Sequence, residues 1–92
     1  MTDKNENYTE YGKDIANRLS RSVGHLKSVK RMVENERDCS EVLVQLAAVK
    51  SEVNNTGRII LKRYLEECLD IAVTIGDLER IKEINVLMDR FL

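Results

Sequence analysis

The sequence predicts an all-α protein, and three observations carry that expectation. The chain has no proline and only four glycines; it is rich in Leu, Ile, Val, Lys, Arg and Glu; and its apolar residues recur in steps of three and four over most of its length. With 92 residues it makes one small domain that buries a modest share of its surface, so association with further copies is expected.

Residues 1–10 read as a polar arm and residues 11–92 as a single helical domain without internal repeats. A first helix is expected from Tyr11 to about Asn35, where Ile15, Leu19, Ser22, Leu26, Val29 and Val33 form one apolar stripe. Five polar residues, Glu34 to Asp38, interrupt it. Asp38 suits an N-cap, with Glu41 three residues on as in a capping box, so a second helix should begin at Cys39. It carries Val42, Leu43, Leu46, Val49, Val53, Ile60, Leu61, Tyr64, Leu65, Cys68, Leu69 and Ala72 at helical spacing. Asn54-Asn55-Thr56-Gly57 weakens its centre, but the apolar phase continues from Val49 to Ile60, which favours one long helix over two. Gly76-Asp77 should end that helix and start a short third one bearing Leu78, Ile81, Ile84, Leu87, Met88 and Phe91.

Two cysteines, Cys39 and Cys68, are the only soft nucleophiles. In one straight helix their 29-residue separation spans roughly 43 Å. A functional pair therefore needs a hairpin or, more simply, an antiparallel partner chain that sets Cys39 of one protomer beside Cys68 of the other. The polar Met1–Asn7 stretch lacks the apolar core of a signal peptide, and no apolar run is long enough to cross a bilayer, so a cytoplasmic protein is expected. In that reducing setting the thiols suit ligation, redox chemistry or core filling better than a permanent disulfide.

Net charge is −1, with 15 basic and 16 acidic residues, but the distribution is uneven. Arg18, Arg21, Lys27, Lys30, Arg31 and Arg37 crowd the stretch from Arg18 to Arg37 against only Glu34 and Glu36, whereas Glu66, Glu67, Asp70, Asp77, Glu79, Glu83 and Asp89 fill the last third. The basic helix is either a phosphate-contacting face or an ordinary solvated one. A phosphate-binding glycine loop and a His-Glu-x-x-His pattern are both missing from the sequence, and it holds one histidine, so no enzyme motif competes.

Arg18-Leu19-Ser20-Arg21-Ser22-Val23-Gly24-His25-Leu26, Met32-Val33-Glu34, Asp38-Cys39, Val42-Leu43, Gln45-Leu46-Ala47-Ala48-Val49-Lys50 and Leu65-Glu66-Glu67-Cys68 together resemble the CsoR/RcnR family of bacterial repressors, in order and register from about Ala16 to Leu69. The resemblance implies a three-helix protomer, an antiparallel dimer of long helices and a disc-like tetramer that binds operator DNA without a winged helix. It also implies that the thiol opening the second helix meets the far end of the partner's second helix. Arg18, Arg21 and Lys50 match family positions associated with operator binding; Lys27, Lys30 and Arg31 are supporting candidates.

Copper sensors of this family place a histidine four residues before the second cysteine, and here that position is Tyr64, a poor ligand for soft Cu(I). A dithiol without its imidazole is similar to the CstR-type persulfide sensors. The expected function is thus a repressor that senses reactive sulfur, persulfide or polysulfide, through an inter-subunit Cys39–Cys68 pair, and derepresses sulfide-detoxification-type genes without a cofactor. Cys39, in the first turn of a helix, is the expected attacking thiol: the helix dipole and Arg37 favour thiolate there, while Asp38 and Glu41 oppose it. Two alternatives remain: Cu(I) held by Cys39 and Cys68 alone, and a structural helical oligomerisation module. In the latter Cys68 is core filler, Tyr64 packs across a dimer seam and the basic residues are solvated. His25 is a polar partner-facing or phosphate-contacting residue, not a ligand.

Overall fold

The structure is a computed structural model describing residues 2–92, with side chains described from residue 10 onward. The side chains expected to form the arm lie, up to residue 9, outside the described residues. Three helices follow one another: α1 (Thr2–Glu34), α2 (Cys39–Ile75) and α3 (Leu78–Phe91); among the described residues there is no strand. The all-α, three-helix expectation therefore holds. The first helix starts nearer the N-terminus than expected, at Thr2 instead of Tyr11. Polar composition hid this, because Asp, Lys, Asn and Glu lack an apolar period yet are all admissible in a helix.

The joint between α1 and α2 is a Schellman turn: Glu36 N–H donates to Val33 C=O (3.1 Å) and Arg37 N–H to Met32 C=O (2.9 Å). Glu36 takes the left-handed position, with φ 55°, that glycine usually fills. Asp38 then caps α2. Its carbonyl accepts from Val42 N–H at 3.1 Å, and its carboxylate accepts from Ser40 N–H at 3.3 Å and from the Ser40 hydroxyl. Those bonds, the Ser40 hydroxyl's foremost, hold the Asp38 carboxyl below the usual carboxylate range. The capping box is only half made, because Glu41 pairs with Arg37 (Nε–Oε2, 3.1 Å).

The second helix is continuous through Asn54-Asn55-Thr56-Gly57, where Thr56 is buried and its hydroxyl bonds back to Glu52 C=O at 3.1 Å. The chain divides into two units, residues 1–56 and 57–92. In the first, Ile15, Ser22 and Val29 of α1 and Val49 of α2 are buried. The single stripe read from the sequence is thereby split: Leu19 (42%), Leu26 (49%) and Val33 (59%) stay exposed. A seven-residue line has two neighbouring apolar edges, and one partner helix covers only one of them. In the second unit Leu61, Ala72 and Ile84 are buried, and a β-carbon on Gly57 would overlap the Phe91 ring, so glycine admits α3's last turn. Arg58 Nε donates to Phe91 C=O at 2.7 Å, capping α3 at its C-terminal end. Its start follows the sequence reading: Gly76 (φ 71°) closes a second Schellman turn, and the Asp77 carboxylate accepts from Arg80 N–H at 3.0 Å.

Candidate sensor thiols and nucleic-acid face

Among the basic residues, helix phase makes a division the sequence tally did not. Relative to the buried line Ile15–Ser22–Val29, the 100° step per residue sets Arg18, Arg21 and His25 on one flank of α1. Lys27, Lys30 and Arg31 turn to the other flank and the back. Arg18 and Arg21 line an open cavity of about 290 Å³ with Ser22, His25, Glu52, Asn55 and Thr56. Arg18 Nε also pairs with Asp14 Oδ2 at 3.0 Å. Lys50 is exposed on α2 and does not line that cavity. Arg31 donates to Ser28 Oγ at 3.0 Å, and Lys27 and Lys30 are exposed.

Sequence reasoning left His25 without partners, and the structure supplies two. Nδ1 lies 2.8 Å from Glu52 Oε1 and Nε2 lies 2.8 Å from Gln45 Oε1, while Ser22 Oγ donates to Glu52 Oε2 at 3.3 Å. Gln45 and Glu52 stand seven residues apart, two turns along one face of α2, so the ring from α1 slots between them. Two oxygen acceptors on two ring nitrogens suit an imidazolium. The Gln45 and Glu52 bonds raise the His25 pKa above 6.5, with burial opposing. A group raised in the folded state adds stability fully present below the unfolded value and lost as pH rises through the folded one. The unfolding midpoint of the wild type, measured against His25→Gln in urea, should therefore show its largest advantage near pH 6 and lose it by pH 9. A constant difference across that range would assign His25 a packing role alone.

Cys39 is exposed as the first residue of α2, and Cys68 is half-buried in the second unit. The Glu41–Arg37 pair engages the guanidinium expected to assist Cys39. Around Cys68 the chemistry is richer. Tyr64 lies one turn before it, and Arg80, in the first turn of α3, lines the same cavity as Cys68. The Arg80 pKa is raised first by its charge interaction with Tyr64, then by their side-chain hydrogen bond, with smaller contributions from Asp77 and Cys68. A cavity of about 140 Å³ is lined by Glu67, Cys68, Ile71, Ala72, Ile75, Asp77 and Arg80. Both carboxylates in that lining are engaged: Glu67 accepts from Arg63 Nε at 2.6 Å, and Asp77 caps α3.

No three His, Cys, Asp or Glu side chains among the described residues are grouped to hold a metal ion. The two thiols have the softness Cu(I) requires, but the residue one turn before Cys68 is Tyr64, a poor ligand for it. Three-coordinate Cu(I) is not what these residues fit. Among the described residues no helix is long and apolar enough to cross a membrane.

Residues 11–90 match the family model described as a metal-sensitive transcriptional repressor. The chain is similar to the copper-sensing transcriptional repressor CsoR of Bacillus subtilis (strain 168), 36% identical over 77 residues that cover 84% of this chain and 74% of that protein. It resembles the solved nickel-responsive transcriptional regulator InrS at 41% identity and TM-score 0.71, covering 87% of this chain and 91% of that one. A crystal structure of the copper-sensing repressor CsoR with Cu(I) from Geobacillus thermodenitrificans NG80-2 is similar at 30% identity and TM-score 0.77, covering 89% and 86%. Against the copper-sensing repressors CsoR of Mycobacterium ulcerans and Mycobacterium bovis the match covers 58% and 50% of the relative's length. The fold, the motif residues of α1 and α2 and these likenesses converge: the chain belongs to the metal-sensitive transcriptional repressor family, the CsoR/RcnR family, whose members are repressors and not enzymes.

Proposed function

We propose that this repressor binds operator DNA in the cytoplasm as a homo-oligomer and releases it when reactive sulfur links Cys39 of one protomer to Cys68 of its partner. The observation that carries this reading is a pair of thiols without an imidazole: Tyr64, one turn before Cys68, stands where copper sensors of the family place a histidine. Tyrosine is a poor ligand for soft Cu(I), and the two thiolates that remain can be linked by sulfur. Association is supported by the exposed Leu19, Leu26, Val33, Leu43, Leu46 and Val53 on α1 and α2, an apolar surface that a dimer of antiparallel long helices would cover before closing into a disc-like tetramer.

The chemistry balances without an external oxidant. The Cys39 thiolate attacks the outer sulfur of a persulfide R–S–SH; the Sγ–S bond forms, the donor's S–S bond breaks, and the thiolate RS⁻ leaves with the electron pair. The partner's Cys68 thiolate then attacks the Cys39 sulfur, and hydrosulfide leaves. Two thiolates are oxidised to a disulfide and one sulfane sulfur is reduced. The cross-link biases a protomer arrangement in which the basic faces no longer match the operator, and sulfide-detoxification-type genes are derepressed.

What the relatives sense favours a second reading. Copper-sensing homologues and a Cu(I)-bound structural neighbour support a metal inducer over a metal-free sensor, here Cu(I) held by the Cys39 and Cys68 thiolates in digonal fashion. Anaerobic treatment of the reduced protein with inorganic polysulfide, read by intact mass and non-reducing gel, separates the two. A dimer cross-linked through Cys39 and Cys68 is expected. Unreacted protein, together with tight Cu(I) binding that Cys68→Ala abolishes, would establish the copper reading.

A further inference from the structure

We infer that His25 is a positioning residue for operator binding: by holding the Glu52 carboxylate it keeps Arg18 and Arg21 open to a DNA phosphate, so that operator affinity falls as the imidazolium loses its proton. This rests on the reading of Arg18 and Arg21 as phosphate contacts and adds to it a proton that the operator complex retains.

The cavity on this flank of α1 brings two guanidiniums, one carboxylate and one imidazole together. A carboxylate beside two arginines ordinarily pairs with one of them and cancels its charge. Glu52 does not: among the described residues its ion pair is with His25, Oε1 to Nδ1 at 2.8 Å, and its Oε2 accepts from the buried Ser22 hydroxyl at 3.3 Å. Arg18 gives its Nε to Asp14, which does not line the cavity, and Arg21 has no ion pair among the described residues. Nor does His25 have a donor to spare for DNA, since Nε2 is spent on Gln45 Oε1 at 2.8 Å. It acts on a phosphate through Glu52. The charged groups that line the cavity with the ring are Arg18 and Arg21 from its own helix and Glu52 from α2. Glu41, one turn before Gln45, is paired with Arg37, and Lys50 turns away from Gln45 and Glu52 by helix phase.

Loss of the proton moves this balance in one direction. Imidazolium donates from both ring nitrogens, whereas neutral imidazole keeps one donor. Gln45 can turn its amide and donate to Nε2, but a carboxylate only accepts, so the remaining proton stays on Nδ1 and the bond to Glu52 survives without its charge. Glu52 is then an uncompensated anion beside the arginines, which draws their guanidiniums and repels a phosphate. An operator phosphate therefore favours the protonated ring, and by reciprocity a bound phosphate holds that proton more tightly. Because the Gln45 and Glu52 bonds raise the His25 pKa above 6.5, the ring is charged below its folded value, and affinity is lost as pH rises through it.

The test is affinity against pH for the full reduced chain without inducer, from about pH 6 to 8.5 at fixed ionic strength, where the ring titrates. The probe is a fluorescent duplex that the wild-type protein has enriched from a random library, read by anisotropy. Wild-type affinity should fall about fivefold across the range, the effect of a unit charge near a phosphate in water. His25→Gln should stay at the wild type's high-pH level throughout. Glu52→Gln should stay at its low-pH level, since no carboxylate is left to uncover. Loss of fold lowers affinity in both variants, so their opposite directions separate positioning from misfolding, and Glu52→Gln decides alone if circular dichroism shows His25→Gln unfolded. A wild-type affinity independent of pH, or a His25→Gln profile parallel to it, would overturn the inference. So would a Glu52→Gln variant that weakens with pH as the wild type does, which would leave the imidazolium a direct charge effect only. Wild-type affinity in Arg18→Ala with Arg21→Ala would instead overturn the phosphate face on which the inference rests.

Discussion

Cys39→Ala is expected to bind operator DNA as tightly as the wild type and to remain bound at polysulfide concentrations that strip the wild type from it. Allosteric coupling in switching proteins is commonly about 1–3 kcal/mol, or roughly 5- to 150-fold in affinity, so polysulfide should weaken the wild type by a factor in that range and the variant by less than about twofold. The structure isolates the effect. Cys39 is exposed at the first position of α2, and alanine is the strongest helix former, so neither packing nor the Asp38 cap is disturbed. Operator titration by fluorescence anisotropy, before and after anaerobic tetrasulfide, measures both quantities. Full release of Cys39→Ala would remove Cys39 from the switch and leave its exposure as plain solvation. The half-buried Cys68 is a less clean probe, since its truncation also alters the wall beside Ala72 and Arg80.

The backbone was largely legible because its signals are local. Asp38, Gly76 and Asp77 mark helix ends by chemistry acting within four residues, and the phase from Val49 to Ile60 correctly outweighed the turn-like Asn54-Asn55-Thr56-Gly57. The Glu36 turn was harder to read, because a glutamate stands where a left-handed residue is wanted. What stayed hidden depends on contacts between elements. Gln45 and Glu52 gain meaning only when the ring of His25 is placed between them, although their seven-residue spacing beside the apolar seam was the available signal. Arg80 was absorbed into an acidic last third, where a tally of charges cannot say which guanidinium lines a cavity with Cys68. Likewise the single stripe of α1 conceals two edges, and only burial reveals that Ile15, Ser22 and Val29 face inward while Leu19, Leu26 and Val33 do not.

That division of α1 has its sharpest consequence for DNA. If Arg18 and Arg21 contact phosphates, Arg18→Ala with Arg21→Ala should weaken operator binding at least tenfold for each lost contact, since a hydrogen bond to a charged group contributes about 1.5–3 kcal/mol and about 1.4 kcal/mol is a factor of ten. Each contact also releases counterions, so the slope of log affinity against log salt should flatten by about one per phosphate lost. Lys27→Ala with Lys30→Ala removes equal charge from the opposite flank of the same helix. It is expected to lower affinity by less than about threefold and to leave the slope nearly unchanged. The comparison distinguishes a surface that binds phosphate by position from one that attracts it by net charge. Because Arg18 is exposed and paired with Asp14, and Arg21 is exposed, circular dichroism should show both double variants as helical as the parent. Equal losses from the two double variants would place the operator along the whole basic helix, and a greater loss from Lys27 and Lys30 would move the interface to the flank away from His25.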